Sequence, residues 1–413
     1  MSESHSSVLV VGGGMAGITA AIESAELGRE VFMVERTPSL GGRVASMRQY
    51  FPKLCPPYCG LEINFRRIKE NPAITVLTSA EVEKITGESG NYSVTVKIRP
   101  RYVKDEICDP ITPFAGLEAS VPNSFNYGLD KRKPVGLPHE QAYPYLPVVD
   151  DAALADPEIR KQLEAMPEVD LGQENSSMTL KVGSIIWATG WVPYDAAKIT
   201  YLGYSRYADV ISNVEMERLA AVNGPTSGKL VRPSDGREVK RVAFIQCAGS
   251  RDENHLPYCS AVCCMASMKQ STYVRGAFED SEVWIFYIDI RANKYESFYR
   301  KIQEDEKVHF VKGKPGSVDR DEDSGDMVVL SEDEEKGEAV RIPVDMVVLA
   351  TGMVPATLAD KVPYEGLTYD DFGFLVADPG KAAILPAGCD KRPADVAATV
   401  QDATGTSLAA IRD

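Results

Sequence analysis

The sequence predicts an α/β protein with two parallel-sheet domains, and three observations carry that prediction. A β-branched and aliphatic run, Ser7 to Val11, leads directly into Gly12-Gly13-Gly14-Met15-Ala16-Gly17, a G-x-G-x-x-G turn. Two later apolar runs, Ile185 to Ala188 and Met346 to Ala350, both continue into Thr-Gly. The chain closes on Ile384-Leu385-Pro386-Ala387-Gly388, a strand ending in glycine, followed by a helical stretch from Pro393 to Ala410. Strands that read as unbroken apolar runs are buried on both faces, as in doubly wound, Rossmann-like sheets.

At 413 residues the chain exceeds what one core usually holds, and 44% hydrophobic with 25% charged residues is an ordinary globular composition. Forty-five Lys plus Arg against sixty Asp plus Glu leave a net charge of −15. Such a balance argues against phosphate backbones or anionic lipid as general partners, so no nucleic acid is expected. No stretch approaches the roughly 20 apolar residues of a membrane-spanning helix. Met1 to Ser7 is too short and polar for a signal peptide. The expectation is a cytoplasmic protein that meets a membrane only indirectly, through a partner. Eight cysteines in that setting point to metal or redox chemistry rather than to a disulfide framework.

The first unit is the most specific. After the glycine turn, Ile18 to Leu27 is helical in character and Gly28 ends it, and a second apolar run, Val31 to Val34, stops at Glu35, the acid the motif requires. Gly12 permits the tight turn, Gly14 lets backbone approach a pyrophosphate, and Gly17 lets the helix pack on the sheet. Amides and the positive dipole end at the helix N-terminus suit phosphates, and Glu35 suits an adenosine ribose. Leu40-Gly41-Gly42-Arg43 adds a second close-approach loop.

From Val8 to Arg43 the chain resembles the FAD-binding start of flavoprotein disulfide reductases with two dinucleotide domains. Ile185-Ile186-Trp187-Ala188-Thr189-Gly190 and Met346-Val347-Val348-Leu349-Ala350-Thr351-Gly352 resemble the paired segments that cross between the domains of that family. The resemblance implies that the C-terminal helix points its N-terminus at the flavin N1 and O2 edge. It also implies that the residue after Gly388 holds the ribityl chain. That residue is Cys389 where the family has Asp, with Asp390 next.

The second domain departs from that family. Its first strand is expected at Val242 to Gln246, but the following turn, Cys247-Ala248-Gly249-Ser250-Arg251-Asp252, has one glycine where a nicotinamide fingerprint needs three. In its place stands C-x11-C-x3-C-C: Cys247, Cys259, Cys263 and Cys264. Four thiols at a strand end and a helix start are enough for one [4Fe-4S] cluster. Zinc and inert buried cysteine are the alternatives. Phe244 to Asp252 with Pro257 to Cys264 resembles the cluster motif of the flavoprotein component of heterodisulfide reductases, as do Val121-Pro122-Asn123-Ser124-Phe125, Gly128-Leu129, Arg132-Lys133 and Gln141-Ala142. Between Gly60 and Gln246, however, Cys108 is the only cysteine, where that family carries a ferredoxin-like insertion. A shortened form of this kind resembles the A-subunit flavoproteins of the quinone-interacting membrane-bound oxidoreductase (Qmo) complexes of sulfate-reducing bacteria. That resemblance implies as partners a related flavoprotein/iron-sulfur subunit, a haem-containing membrane subunit, menaquinol, and adenylylsulfate reductase as electron acceptor.

Other segments are less specific. Lys104 to Pro147 is proline-rich and without period, an extended surface insertion whose Phe125, Tyr127, Tyr143 and Tyr145 either anchor a partner or pack the loop down. Asp150 to Glu168 reads as a short solvated helix. Cys55-Pro56-Pro57-Tyr58-Cys59 is one residue longer than a redox C-x-x-C and offers a flavin-linked dithiol, a cluster contribution or plain packing. Cys108 reads as structural, and His255, inside the cysteine loop, as solvated or as a donor to the metal ligands. Asp319 to Lys336 reads as the tip of a β-hairpin between Val308–Val311 and Met327–Leu330.

The expected organisation is a first part of the FAD domain at 1–204 with an insertion at about 104–168, a cysteine-bearing domain at 205–344, and the FAD domain's C-terminal part at 345–413. Expected FAD contacts are Gly12, Gly14, Met15, Ala16, Gly17, Glu35, Arg36, Gly42, Arg43, Val82, Ala188, Thr189, Gly190, Gly388, Cys389 and Asp390. No side chain is assigned a catalytic role. The function expected is electron transfer by an FAD and [4Fe-4S] component of a quinone-interacting complex in dissimilatory sulfate reduction. Alternatives are a stand-alone NAD(P)H-dependent disulfide oxidoreductase using Cys55 and Cys59, or a scaffold with structural FAD.

Overall fold

The structure, a computed structural model, describes residues 5–104, 107, 109–377 and 384–412, so Cys108 lies outside the described residues. The first domain is built on five parallel strands in the order Ile384–Pro386, Ser184–Trp187, Val8–Val11, Val31–Glu35, Ile74–Thr78. Side chains alternate across a strand, so this sheet needs a cover on both faces. Val8 and Val10 pack with Ile18, Ile22, Leu61, Phe65 and Ala403 of the helices Met15–Glu26, Tyr58–Glu70 and Val396–Ala410. Leu9 and Val11 pack on the other face, against the antiparallel sheet of Ala80–Glu88, Asn91–Ile98 and Ser176–Val182.

The second domain repeats the plan. Its parallel order is Val210–Ser212, Met346–Thr351, Arg241–Ala248, Glu282–Tyr287, Val308–Lys312. Asn213–Ala220, Cys263–Ala277 and Glu296–Gln303 cover one face, and the antiparallel meander Ser317–Arg320, Met327–Asp333, Glu338–Val344 covers the other. The two crossings between domains pair as antiparallel strands, Trp191–Pro193 with Met353–Pro355.

Four expectations are corrected. Met346–Thr351 does not open the C-terminal part of the first domain: it pairs with Val210–Ser212 and Arg241–Ala248 inside the second sheet. Its unbroken apolar run fits any buried parallel strand and does not say which sheet takes it. Val308–Lys312 is likewise a parallel edge strand, and the acidic hairpin joins Ser317–Arg320 to Met327–Asp333 instead. The last helix starts at Val396, where the Asp395 side chain accepts from the Ala398 amide at 2.7 Å, so Pro393 precedes the helix. The insertion is not merely draped over the surface. Phe114, Val121, Val135, Val149, Ala153 and Leu163 give it a small core, and two short helices, Asp151–Ala155 and Pro157–Glu164, are capped by Asp150 and Asp156.

The insertion's aromatics mostly pack it down. Phe125 stacks on His139 at 4.6 Å and lies under the Arg218 guanidinium, also at 4.6 Å, while Tyr143 stacks on Phe65 at 5.2 Å. Tyr145 remains exposed.

Candidate cofactor site

A cavity of about 1220 Å³ runs from the glycine turn to the start of the cysteine-bearing helix. Ligand sites generally measure about 300–1,000 Å³, so a dinucleotide fits. Of the expected FAD contacts, Gly12, Gly14, Met15, Ala16, Glu35, Arg36, Gly42, Arg43, Val82, Ala188, Thr189, Gly190 and Cys389 line it. Gly12 has φ +107°, and a Cβ there would lie 2.1 Å from the Ala188 carbonyl oxygen. Gly14 and Gly42 approach backbone to backbone, since a Cβ on Gly42 would meet the Gly14 Cα at 2.8 Å. No side chain caps the Met15–Glu26 helix, so its first-turn amides remain available to phosphate oxygens. The buried Trp187 indole N–H, on the cavity wall, has no acceptor among the described residues.

Glu35 does more than the motif requires. Its Oε2 accepts from the Gly13 amide at 2.6 Å, and its Oε1 accepts from the Thr37 amide and hydroxyl at 2.7 and 2.8 Å. Oε2 keeps one acceptor position for a ribose hydroxyl. Arg43 is fixed by donating to the Trp191 carbonyl at 2.6 Å while lying over the Trp191 ring.

Three expected contacts stand behind the wall instead of on it. A Cβ on Gly17 would fall 1.8 Å from the Gly12 carbonyl oxygen, and one on Gly388 would press on Thr399 and Ala16. Both glycines serve close packing. Asp390 is fully buried and accepts from the Thr189 hydroxyl at 2.9 Å and the Gly190 amide at 3.0 Å. It clamps the first crossing rather than holding a ribityl chain, and burial pushes its carboxyl up to about 7. Cys389 faces the cavity, and burial pushes its thiol up to about 11.

At the other end, none of the four motif cysteines lines the cavity, which reaches Ala261, Val262 and Met265 beside them; Cys247, Cys263 and Cys264 are buried and Cys259 is partly exposed. Desolvation raises the thiols of Cys247, Cys263 and Cys264, and the four sit close enough for neighbouring cysteines to raise them further. Backbone amides already point at sulfur: Ala261 at Cys259 Sγ, 3.3 Å, and Arg291 at Cys264 Sγ, 3.5 Å. Cys247, Arg251 and Ala261 hold left-handed conformations that non-glycine residues rarely adopt. Among the described residues no three His, Cys, Asp or Glu side chains form a group that could hold a single metal ion. The second crossing packs against this loop, where a Cβ on Gly352 would lie 2.4 Å from Ser250 Oγ.

The buried amide of Gln246, next to Cys247, has no partner for either its oxygen or its nitrogen. Such an orphan costs about 1–3 kcal/mol per group and suits a bound group not made of protein. Thiols, amide donors and an orphaned carboxamide together fit an iron-sulfur cluster, whose thiolates each hold a different iron and need not converge on one point.

A buried polar seam joins the two ends of the cavity, and its side chains were not legible as site residues. Cys263 Sγ lies 3.9 Å from the Thr351 carbonyl oxygen, and the Thr351 hydroxyl donates to Asn213 Oδ1 at 3.0 Å. Gln270 donates to the Asn213 carbonyl at 2.7 Å and to Glu217 at 2.6 Å. Glu217 pairs with Lys269 at 2.8 Å, and Lys269 donates to the Gln49 carbonyl at 2.6 Å. Asn213, Glu217, Lys269 and Gln270 all line the cavity. A lysine amid Met268 and Gln270 carries no local pattern that marks it as buried.

Two weaker candidates fall outside. Cys59 is exposed and Cys55 packs behind Tyr50 and Met47, with Met47 and Phe51 forming the nearby cavity wall. His255 is engaged by the Tyr194 hydroxyl at 2.7 Å.

Residues 7–71 match the FAD dependent oxidoreductase family. The chain is 35% identical to an iron-sulfur A subunit of the CoB--CoM heterodisulfide reductase of Methanopyrus kandleri, over 97% of this chain and 63% of that protein. It is also 35% identical to the A subunit of the H(2):CoB-CoM heterodisulfide,ferredoxin reductase of Methanothermobacter marburgensis, with the same coverage of 97% and 63%. The chain thus spans a little under two thirds of these relatives' length. Among solved structures it resembles thioredoxin reductase of T. acidophilum, with TM-score 0.53 and 16% identity, covering 98% of this chain and 97% of that one. Thioredoxin reductase of Lactococcus lactis gives TM-score 0.52 and 13% identity over 98% of both chains. At that identity the likeness establishes the two-domain α/β fold alone. Glycine turn, cavity and relatives agree on an HdrA-like flavoprotein, similar over nearly its whole length to the A subunits of heterodisulfide reductases.

Proposed function

We propose that the chain is the FAD- and [4Fe-4S]-bearing component of a quinone-interacting, membrane-associated complex that passes electrons between menaquinol and adenylylsulfate reductase. In this reading its neighbours are a haem-containing membrane subunit plus a related flavoprotein/iron-sulfur subunit. The observation that carries the relay is the single cavity reaching from Gly12 to the helix that begins at Cys263. Support for a role inside a complex comes from the second-domain turn, which offers thiols in place of a nicotinamide fingerprint. The single cysteine between Gly60 and Gln246 leaves no ligands for the ferredoxin-like insertion and favours the Qmo-like form. Among the described residues no helix is long and apolar enough to cross a membrane, so in this reading contact with quinone runs through a partner.

Bound FAD supplies two-electron uptake with one-electron release. The chain's part is positional. The uncapped helix would hold the pyrophosphate and Glu35 the ribose, with Arg43 braced against Trp191 nearby. The Lys269–Glu217 pair places a fixed buried dipole on the cavity wall, and the seam through Gln270, Asn213 and Thr351 gives a bonded route to Cys263.

Iron and acid-labile sulfide per FAD, measured on anaerobically purified protein and on Cys263→Ser, test this. The expected result is about four irons per FAD, largely lost in the variant. In the assembled complex a menaquinol analogue should reduce the flavin, and NAD(P)H should not. Flavin with iron well below one per FAD, or rapid bleaching by NAD(P)H, would overturn the reading.

A further inference from the structure

We infer that Gln246 sets the reduction potential of the cluster, by donating its side-chain amide N–H to a cluster or cysteine sulfur. The inference rests on the cluster reading above. Gln246 is 2% exposed and both its amide atoms lack a partner among the described residues, in a strand at the centre of the second domain's sheet. Alternation along the regular part of the strand, Val242 to Ile245, indicates where it points. Ala243 and Ile245 pack toward the meander, whereas Val242 and Phe244 pack with Cys264, Met265 and Met268 on the helix side. Gln246 follows in the second set and so faces the helix that opens with Cys263 and Cys264.

Two further features mark the same spot. The pairing of this strand with Met346–Thr351 slips between Ile245 and Ala248, so the irregularity follows directly on Ile245 and falls beside Cys247, the first of the four thiols. Ser267, four residues after Cys263 and therefore on the same helical face, also carries a buried hydroxyl without a partner. Buried polar groups generally find partners, and these two, on the strand and the helix that carry Cys247 and Cys263, suit an acceptor that the described residues do not provide.

Reduction adds negative charge to a cluster, so an N–H donor stabilises the reduced form more than the oxidised one and raises the potential. Gln246 is a positioning residue in this scheme. It ligates nothing, and its loss should leave cluster content intact.

The test is an EPR-monitored potentiometric titration of the FAD-loaded protein, with iron per FAD determined on the same samples. Gln246→Met keeps the volume and removes the donor, Gln246→Leu is the second variant, and Ser24→Ala, another orphaned buried hydroxyl on the Met15–Glu26 helix, is the control. The expected result is unchanged iron content with a lower cluster potential in both Gln246 variants. The oxidised-to-reduced ratio at fixed potential should rise about tenfold, a shift of about 59 mV for one electron, and the control should not move. Unchanged potential with full iron would overturn the inference and assign Gln246 to a buried water. Iron lost from both Gln246 variants would overturn it in favour of a role in assembly. Absence of iron from the unaltered protein would remove the cluster reading and the inference together.

Discussion

Replacing Asp390 with asparagine should change how stability responds to pH more than it changes stability itself. The carboxyl is fully buried against Thr189 and Gly190, and burial lifts it from its ordinary 3.8 to about 7. Between those values the folded chain retains a proton that the unfolded chain has released. The resulting stabilisation is complete below about 3.8 and is lost as pH rises through about 7. A displacement of about 3 units at about 1.36 kcal/mol per unit makes the full swing about 4 kcal/mol. Asparagine is neutral at every pH and keeps acceptor geometry toward the Thr189 hydroxyl or the Gly190 amide. Urea unfolding at pH 5, 6, 7 and 8 and constant ionic strength, followed by tryptophan fluorescence, should show the stability of Asp390→Asn gaining on that of the unaltered chain as pH rises. The gain from pH 5 to 7 should be about 2–3 kcal/mol by the same linkage. A difference that stays flat across this range would refute the argument, because Asp390 would then be ionised throughout.

Other predictions concern the two cofactor ends and the domain seam. Gly17→Ala puts a Cβ 1.8 Å from the Gly12 carbonyl oxygen, forcing helix and turn apart at a cost of about 1–3 kcal/mol. Flavin absorbance per chain should fall, with affinity weaker by about tenfold or more. Lys269→Met strands the buried Glu217 carboxylate and should cost about 3–5 kcal/mol in urea unfolding. Lys269→Met combined with Glu217→Gln should recover most of that loss, and a double variant no better than the single one would contradict the pairing. Arg218→Ala removes hydrogen bonds to Asn126, Ser46 and Asn223 and the contact with Phe125. Limited proteolysis should then cut within 104–168 faster, with a stability loss of about 3 kcal/mol.

The glycine turn, the acid at Glu35 and the buried strands were legible in the sequence because each rests on a local constraint, a φ value or a close approach that few residues satisfy. Gly12 and Gly17 illustrate this, since their reasons lie within a few residues of themselves. Partition was harder. Met346–Thr351 has the same apolar character as Ser184–Trp187, and only pairing shows that one joins the second sheet and the other the first. The role of Asp390 was masked in the same way, because sequence adjacency to Gly388 suggested the ligand while the structure turns its carboxylate toward Thr189 and Gly190. Lys269 and Glu217 were invisible because their burial depends on the meeting of two domains, which neither helix pattern encodes. The orphaned amide of Gln246 is a property of what surrounds it and has no sequence signature at all.

The short stretch from Ser46 to Gln49 shows how tightly the two halves are fastened. It belongs to the first domain, yet the Ser46 carbonyl meets Arg218, the Arg48 amide meets Glu217, the Arg48 guanidinium lies over Tyr273, and the Gln49 carbonyl meets Lys269. All four partners are buried side chains of the second domain. Swinging one domain about the crossings would take one hydrogen bond each to this stretch from the buried Lys269, Glu217 and Arg218, although Lys269 and Glu217 would keep each other and Arg218 would keep Asn223. These contacts favour one fixed arrangement of the two domains. In the proposed reading, electrons would then cross a gap of constant width between flavin and cluster, and the pace of exchange would be set by that gap rather than by opening and closing of the protein.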